Sequence, residues 1–317
     1  MEEKNTLKIH KLLTKVFLMK SMILLATFSS IFILYCDIFK PPPNPYENKI
    51  LFTSSKSGIN QLYMMNSDGS EITQITNGEY WHAYGRWSKD HSKIVCNTNE
   101  GIGISAPFNI AVMNSDGSER VLLTRGSQMS WHPDGNKILY SYYNFELGML
   151  GQLFYINMFD TSFNRIELQS SVGQGEFSPN GNNFLCIETD YVNEPPNNKI
   201  KIFSYPGLKT IITIDSAGYR PRWSPNGREI VYTKENPSTN AYDVYVMNNN
   251  GSDIKRITNN ISNTSYIYPC FSPDGEKILF LTYTLDGSNI WNMYMIDING
   301  ENLYKIISDS SIVSCDW

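Results

Sequence analysis

Beyond residue 48 the apolar positions fall in short β-rich runs, and no stretch sustains a 3.6-residue apolar period. Lys137-Ile138-Leu139-Tyr140, Glu229-Ile230-Val231-Tyr232 and Lys277-Ile278-Leu279-Phe280 are three such runs, and each predicts a strand. Each follows a polar turn that opens on an aromatic: Trp131-His132-Pro133-Asp134-Gly135, Trp223-Ser224-Pro225-Asn226-Gly227, Phe271-Ser272-Pro273-Asp274-Gly275. Pro and Gly there suit the fixed and positive φ angles of a tight turn. The repeat aromatics stand at positions 87, 131, 177, 223, 271 and 317, at spacings of 44, 46, 46, 48 and 46 residues.

Each unit holds four predicted strands. The first ends on the aromatic, and the second follows the turn. After a loop of variable length comes a third, such as Gln61-Leu62-Tyr63-Met64-Met65 or Asp243-Val244-Tyr245-Val246-Met247. A second turn, such as Asn66-Ser67-Asp68-Gly69-Ser70, leads to a fourth that often closes on Ile-Thr or Leu-Thr. Four strands per 40–50 residues is the period of a propeller blade. Lys49-Ile50-Leu51-Phe52 matches a second strand with no aromatic strand before it, and residues 312–317 match a first strand with nothing after it. Joined, the two ends make one blade. The expectation is an all-β, six-bladed propeller of four-stranded blades over residues 49–317, closed by the C-terminal strand, with Trp317 buried between blades. Closure removes the open sheet edge that a linear array would leave.

The Trp-Ser-Pro-Asp-Gly and Tyr-Val-Met-Asn-x-Asp-Gly pattern resembles the WD40-like (PD40) repeats of TolB-type six-bladed β-propellers. This resemblance implies an interaction module in a bacterial envelope and says little about a particular ligand. TolB-type chains carry an α/β domain ahead of the propeller; here a 13-residue spacer that begins at Cys36, residues 36–48, precedes the first blade. A role in the Tol–Pal system is therefore not carried over.

Residues 1–48 follow a different pattern. Lys4, Lys8, Lys11, Lys15 and Lys20 precede a 15-residue uncharged run, residues 21–35, that ends at Cys36. The run has the length of a signal-peptide core and is short of the roughly 20 residues of a spanning helix. Residues 1–35 read as a lipoprotein-like leader, with translation starting at Met1 or Met19, Cys36 as the lipid-modified first mature residue, and 36–48 as a Pro-rich spacer. A retained signal-anchor is the alternative, and both export the domain. Inner or outer membrane stays open.

The full chain carries 26 basic and 31 acidic groups; residues 1–35 hold five lysines and two glutamates, so the remainder has 21 against 29. An acidic domain without a basic block is a poor match to nucleic-acid phosphates. His10, His82, His91 and His132 are the four histidines, and the last two fall in repeat turns, so neither a metal site nor a cofactor is expected. No Asp-x-Asp-x-Asp loop supports calcium, and the Asp-Gly turns read as turn geometry. Gly-x-Ser-x-Gly is missing. Cys96 and Cys186 read as small buried hydrophobes. Cys270 and Cys315, on neighbouring innermost strands, are offset in register and expected unbridged.

Two functions survive. One is an exported, lipid-anchored, monomeric, non-catalytic propeller holding an envelope protein or glycan. The other is an enzyme, a lyase or hydrolase of an envelope or extracellular polymer, which needs two funnel carboxylates close together with shifted pKa values. The turns of one rim are uniform. The connections of the other rim vary from blade to blade (97–108, 142–152 and 189–198 within blades, 77–82 and 259–266 between them) and carry Tyr80, Trp81, Tyr143, Phe145, Tyr191, Tyr219, Tyr242 and Tyr266. Variable loops on a rigid scaffold are where recognition is built. The candidate binding residues at the channel mouth are Tyr84, Arg86, Glu176, Arg220, Arg222, Tyr268 and Asp316, with the three arginines as carboxylate contacts unless they pair across blades.

Overall fold

The computed structural model describes residues 44–101, 108–144, 149–168, 170–190, 197–214, 218–259, 264–284 and 291–317. The leader, Cys36, Phe145 and Tyr191 lie outside the described residues. The strands of blade one are β1 (Ile50–Ser54), β2 (Gln61–Met65) and β3 (Thr73–Gln74). Blade two holds β4 (His82–Trp87), β5 (Lys93–Thr98), β6 (Asn109–Asn114) and β7 (Val121–Arg125). Blade three holds β8 (Ser127–Trp131), β9 (Lys137–Asn144), β10 (Met149–Asn157) and β11 (Phe163–Arg165). Blade four holds β12 (Val172–Phe177), β13 (Asn183–Asp190), β14 (Asn197–Ser204) and β15 (Thr210–Ile214). Blade five holds β16 (Gly218–Trp223), β17 (Glu229–Asn236), β18 (Ala241–Asn248) and β19 (Lys255–Arg256). Blade six holds β20 (Thr264–Phe271), β21 (Lys277–Thr284), β22 (Trp291–Asp297) and β23 (Tyr304–Ser308), and β24 (Ile312–Asp316) follows.

Every sheet has four antiparallel strands, and β24 is the innermost strand of blade one. Its pairing runs Leu51 with Asp316, Phe52 with Cys315 and Thr53 with Ser314, so the ring closes as the repeat arithmetic requires.

Burial falls from the centre outwards. In β21, Ile278, Leu279, Phe280 and Leu281 are all fully buried, because a second strand is covered on both faces by neighbouring blades. The outermost β3, β11 and β19 are exposed throughout. Six apolar clusters follow the seams between blades. That of blades six and one joins Ile267, Leu279 and Met295 to Ile50, Phe52 and Cys315. The repeat aromatics Trp87, Trp131, Phe177, Trp223 and Phe271 are buried in this way.

Trp317 differs. It lies beyond the end of β24 and is half-buried, and its indole donates to the Asn48 carbonyl of its own blade at 3.1 Å. The indoles of Trp87, Trp131 and Trp223 instead reach the preceding blade, at Lys49, Arg86 and Glu176.

The Asp-Gly turns are capped internally. Asp68 Oδ1 accepts from the Ser70 amide at 2.9 Å, as Asp116 does from Ser118, and Asp274 Oδ1 accepts from Glu276 N at 3.0 Å. The Ile-Thr closures serve the seams too. Thr76 and Thr258 hydroxyls accept from Leu62 N and Val244 N, both at 2.9 Å, while Ile75 and Ile257 are buried. Cys96, Cys186, Cys270 and Cys315 are all free and buried.

Candidate functional site

The residue before each repeat aromatic points into the channel, because neighbours along a strand face opposite ways and the aromatic faces the seam. These positions are Arg86, Ser130, Glu176, Arg222, Cys270 and Asp316. Three of them hold the next blade by its backbone: Ser130 Oγ accepts from Phe177 N at 3.2 Å, Glu176 Oε2 from Trp223 N at 2.8 Å and Asp316 Oδ2 from Trp87 N at 2.9 Å. The arginines have no acceptor to offer and pair with the carboxylates. Asp316 Oδ1 receives Arg86 Nη1 at 3.1 Å and Arg222 Nη2 at 2.8 Å, and Glu176 Oε1 receives Arg222 Nε at 2.5 Å.

Arg222 therefore bridges the two carboxylates, and all four carboxylate oxygens are engaged. Burial pushes both carboxyls up, while Arg86 and the amides of Trp223 and Trp87 pull them back. Both guanidiniums of this inner tier are thus paired with its two carboxyls.

A second tier lies two residues earlier on each innermost strand. Tyr84, Gln128, Gln174, Arg220 and Tyr268 each stand three residues before the aromatic and adopt a left-handed backbone, with φ between 53° and 56°. The pairing register shifts at each of these places, between Ala83 and Arg86, Ser127 and Ser130, Gly173 and Glu176, Tyr219 and Arg222, and Ile267 and Cys270. A bulge of this kind re-aims a side chain, and bulky residues in the left-handed region are strained positions that cluster at functional sites. The sixth blade position, Ser314, is small. Across it Tyr84 and Tyr268 stack with ring centroids 6.2 Å apart. The Arg220 guanidinium lies over Tyr268, 3.5 Å from the ring centroid. Burial and the neighbouring Tyr268 push the Tyr84 hydroxyl up to about 12, so Tyr84 is a neutral phenol at neutral pH.

The two tiers line a cavity of about 280 Å³, which Asn97 and Phe108 extend toward the variable rim. Of the seven residues expected there, Tyr84, Arg86, Glu176, Arg220, Arg222 and Tyr268 line it directly, and Asp316 sits behind, bonded to Arg86 and Arg222. Gln128, Gln174 and Ser130 line it as well and escape a reading based on charge and aromaticity. Counting back three and one from each repeat aromatic finds all of them.

The histidines stand elsewhere. His132 packs edge-on against Phe177 and pairs with Asp134 at 2.7 Å, and His91 packs against Trp87. His82 is fully buried between the first blades, and burial lowers it to about 4. Among the described residues no group of three His, Cys, Asp or Glu side chains could hold a metal ion.

No protein-family model and no curated protein matches the chain. Solved structures do. TolB from Acinetobacter baumannii superposes with a TM-score of 0.69 at 16% identity, over 87% of this chain and 67% of that one. A TolB-type protein from Agrobacterium tumefaciens gives 0.61 at 17% identity, over 82% and 88%. An oligogalacturonate lyase in complex with manganese gives 0.53 at 14% identity, over 83% and 74%. The chain thus has the six-bladed β-propeller fold of TolB.

Proposed function

We propose that this protein is a non-catalytic binding module of the bacterial cell envelope, exported and held to a membrane by a lipid on Cys36, that docks a protein partner over the variable-rim mouth of its channel. The observation that carries the reading is the strained second tier. Five blades each hold a non-glycine residue in the left-handed region to aim one side chain at a single cavity. The same backbone state recurs at Glu71, Glu119, Thr161, Asp253 and Asn302 away from the channel, so it is the convergence of five such side chains on one cavity that points to preorganised recognition. The inner tier does hold the two neighbouring carboxyls with raised pKa values that the enzyme reading asks for, but a general acid or base also needs a carboxylate oxygen free to exchange a proton. Here Glu176 and Asp316 spend theirs on two arginines and two amides. The polymer-degrading alternative requires Arg222 to release both.

The test is site-specific photo-crosslinking in the native envelope. A photoreactive phenylalanine analogue replaces Tyr80, exposed on the variable rim, or Glu276, exposed in a uniform-rim turn. A partner captured from position 80 and not from 276 supports the reading. Capture from 276 alone inverts the functional face, and turnover of an envelope polymer by the purified protein restores the enzyme.

A further inference from the structure

The second tier is built almost wholly of donors, and the way its acceptors are used fixes this. Gln128 Oε1 accepts the Gln174 backbone amide at 3.0 Å and the Tyr143 hydroxyl at 2.9 Å. Gln174 Oε1 in turn accepts the Arg220 backbone amide at 2.6 Å. A backbone N–H can only donate, so the oxygen end of each glutamine amide must face it. The NH₂ ends are then left over, and no hydrogen bond among the described residues engages either one. Blades three, four and five therefore present two amide NH₂ groups and one guanidinium side by side. Arg220 has no ion pair among the described residues and is oriented by the Tyr268 face beneath it. Arg86 and Arg222 are held by Asp316 and Glu176, so among the described residues Arg220 is the guanidinium of the cavity lining without an ion pair. Opposite this arc, across the small Ser314, stands the apolar Tyr84–Tyr268 stack.

We infer that the mouth is a receptor for a carboxylate carried beside an apolar group, as an acidic side chain next to a large hydrophobic one on a partner's extended peptide segment. The inference rests on the channel mouth being the docking face and names what is read there. Charge-assisted bonds to a planar guanidinium suit a carboxylate, and stacking on an aromatic pre-orients the guanidinium. An acidic glycan fits less well. Sugar hydroxyls donate as well as accept, and the side-chain oxygens of Gln128, Gln174 and Glu176 in the lining are already engaged.

The experiment uses the full-length protein and three defined probes: the peptide Ac-Leu-Phe-Glu-Leu-amide, its Gln twin, and a hexamer of galacturonic acid. Binding is followed by NMR on the arginine side-chain N–H signals and by saturation transfer. The Glu peptide is expected to bind about tenfold more tightly than its Gln twin and to shift the Arg220 signal. Arg220→Gln should abolish that preference without lowering the melting temperature, because glutamine already occupies the same left-handed position in blades three and four. Arg220→Lys should keep part of it. Equal binding of the two peptides, no binding of either up to 10 mM, or a preference that survives Arg220→Gln overturns the inference. Tighter, Arg220-dependent binding of the uronate hexamer also overturns it, in favour of a glycan. A partner that crosslinks at position 80 yet shows no acid preference would remove the carboxylate and leave the docking face standing.

Discussion

Asp316 is the residue on which the inner tier turns, and removing it should cost more than any surface position near a chain end would suggest. Its side chain is 4% exposed, against 29% for Arg86 and 17% for Arg222. Asp316→Ala strips both guanidiniums of a shared partner and leaves the Trp87 amide without an acceptor. Breaking a buried ion pair from one side costs about 3–5 kcal/mol, and an orphaned buried N–H about 1–3. The two overlap, and Arg86 keeps some access to water, so about 4 kcal/mol is the expected loss. That lowers the melting temperature by about 10 °C in a domain of this size. Asp316→Asn retains an oxygen for Trp87 and loses only the charge, and should cost about half as much. Urea denaturation followed by tryptophan fluorescence compares the midpoints. An Asp316→Ala midpoint within about 1 kcal/mol of wild type would mean that the arginines are held by something other than this carboxylate.

Other outcomes follow from the same structure. Ending the chain at residue 311 deletes β24, and with it Asp316 and the innermost strand of blade one, so the shortened domain should lose its cooperative melting transition by calorimetry. Trp317→Ala, by contrast, removes a half-buried indole and should cost about 1–2 kcal/mol, well short of the roughly 3–5 for a fully buried aromatic, as read by the same urea titration. His82 is neutral when folded and titrates near 6.5 when unfolded, so its contribution is present above pH 6.5 and drains away as the pH falls toward about 4; His82→Gln should flatten that part of the stability-versus-pH curve. Cys36→Ala should abolish acylation and release the protein from the membrane fraction, which mass spectrometry of that fraction checks.

The fold was legible because the repeat is written in residues whose geometry admits few alternatives. Pro273, Asp274 and Gly275 specify a turn, the runs after them specify a strand covered on both faces, and the complementary strand patterns at 49–52 and 312–317 specify one shared blade. The channel was legible in outline, since side chains flanking the aromatics of innermost strands must meet at the axis. What stayed hidden was conformation and partnership. Nothing in Tyr84, Gln128 or Arg220 announces a left-handed backbone, because a glycine would mark such a site and none is used there. The pairing of Arg86 with Asp316 joins residues 230 positions apart, which no local pattern encodes. The glutamines carry no charge signal in the sequence, although their spacing from the aromatic places them in register with Arg220.

The seam of blade one also has a mechanical consequence. Leu51, near the start of β1, pairs with Asp316, at the end of β24, so the two strands leave the sheet from the same end. A load applied to the amino-terminal side alone passes into blade one without drawing its two terminal strands apart. A load applied between that side and the carboxyl terminus separates Leu51 from Asp316 first and then peels the pairs one by one, the weak direction for a β-ladder. A protein tethered at its front end thus keeps its ring intact under tension, whereas a cargo pulling on a carboxyl-terminal fusion would open it like a zip.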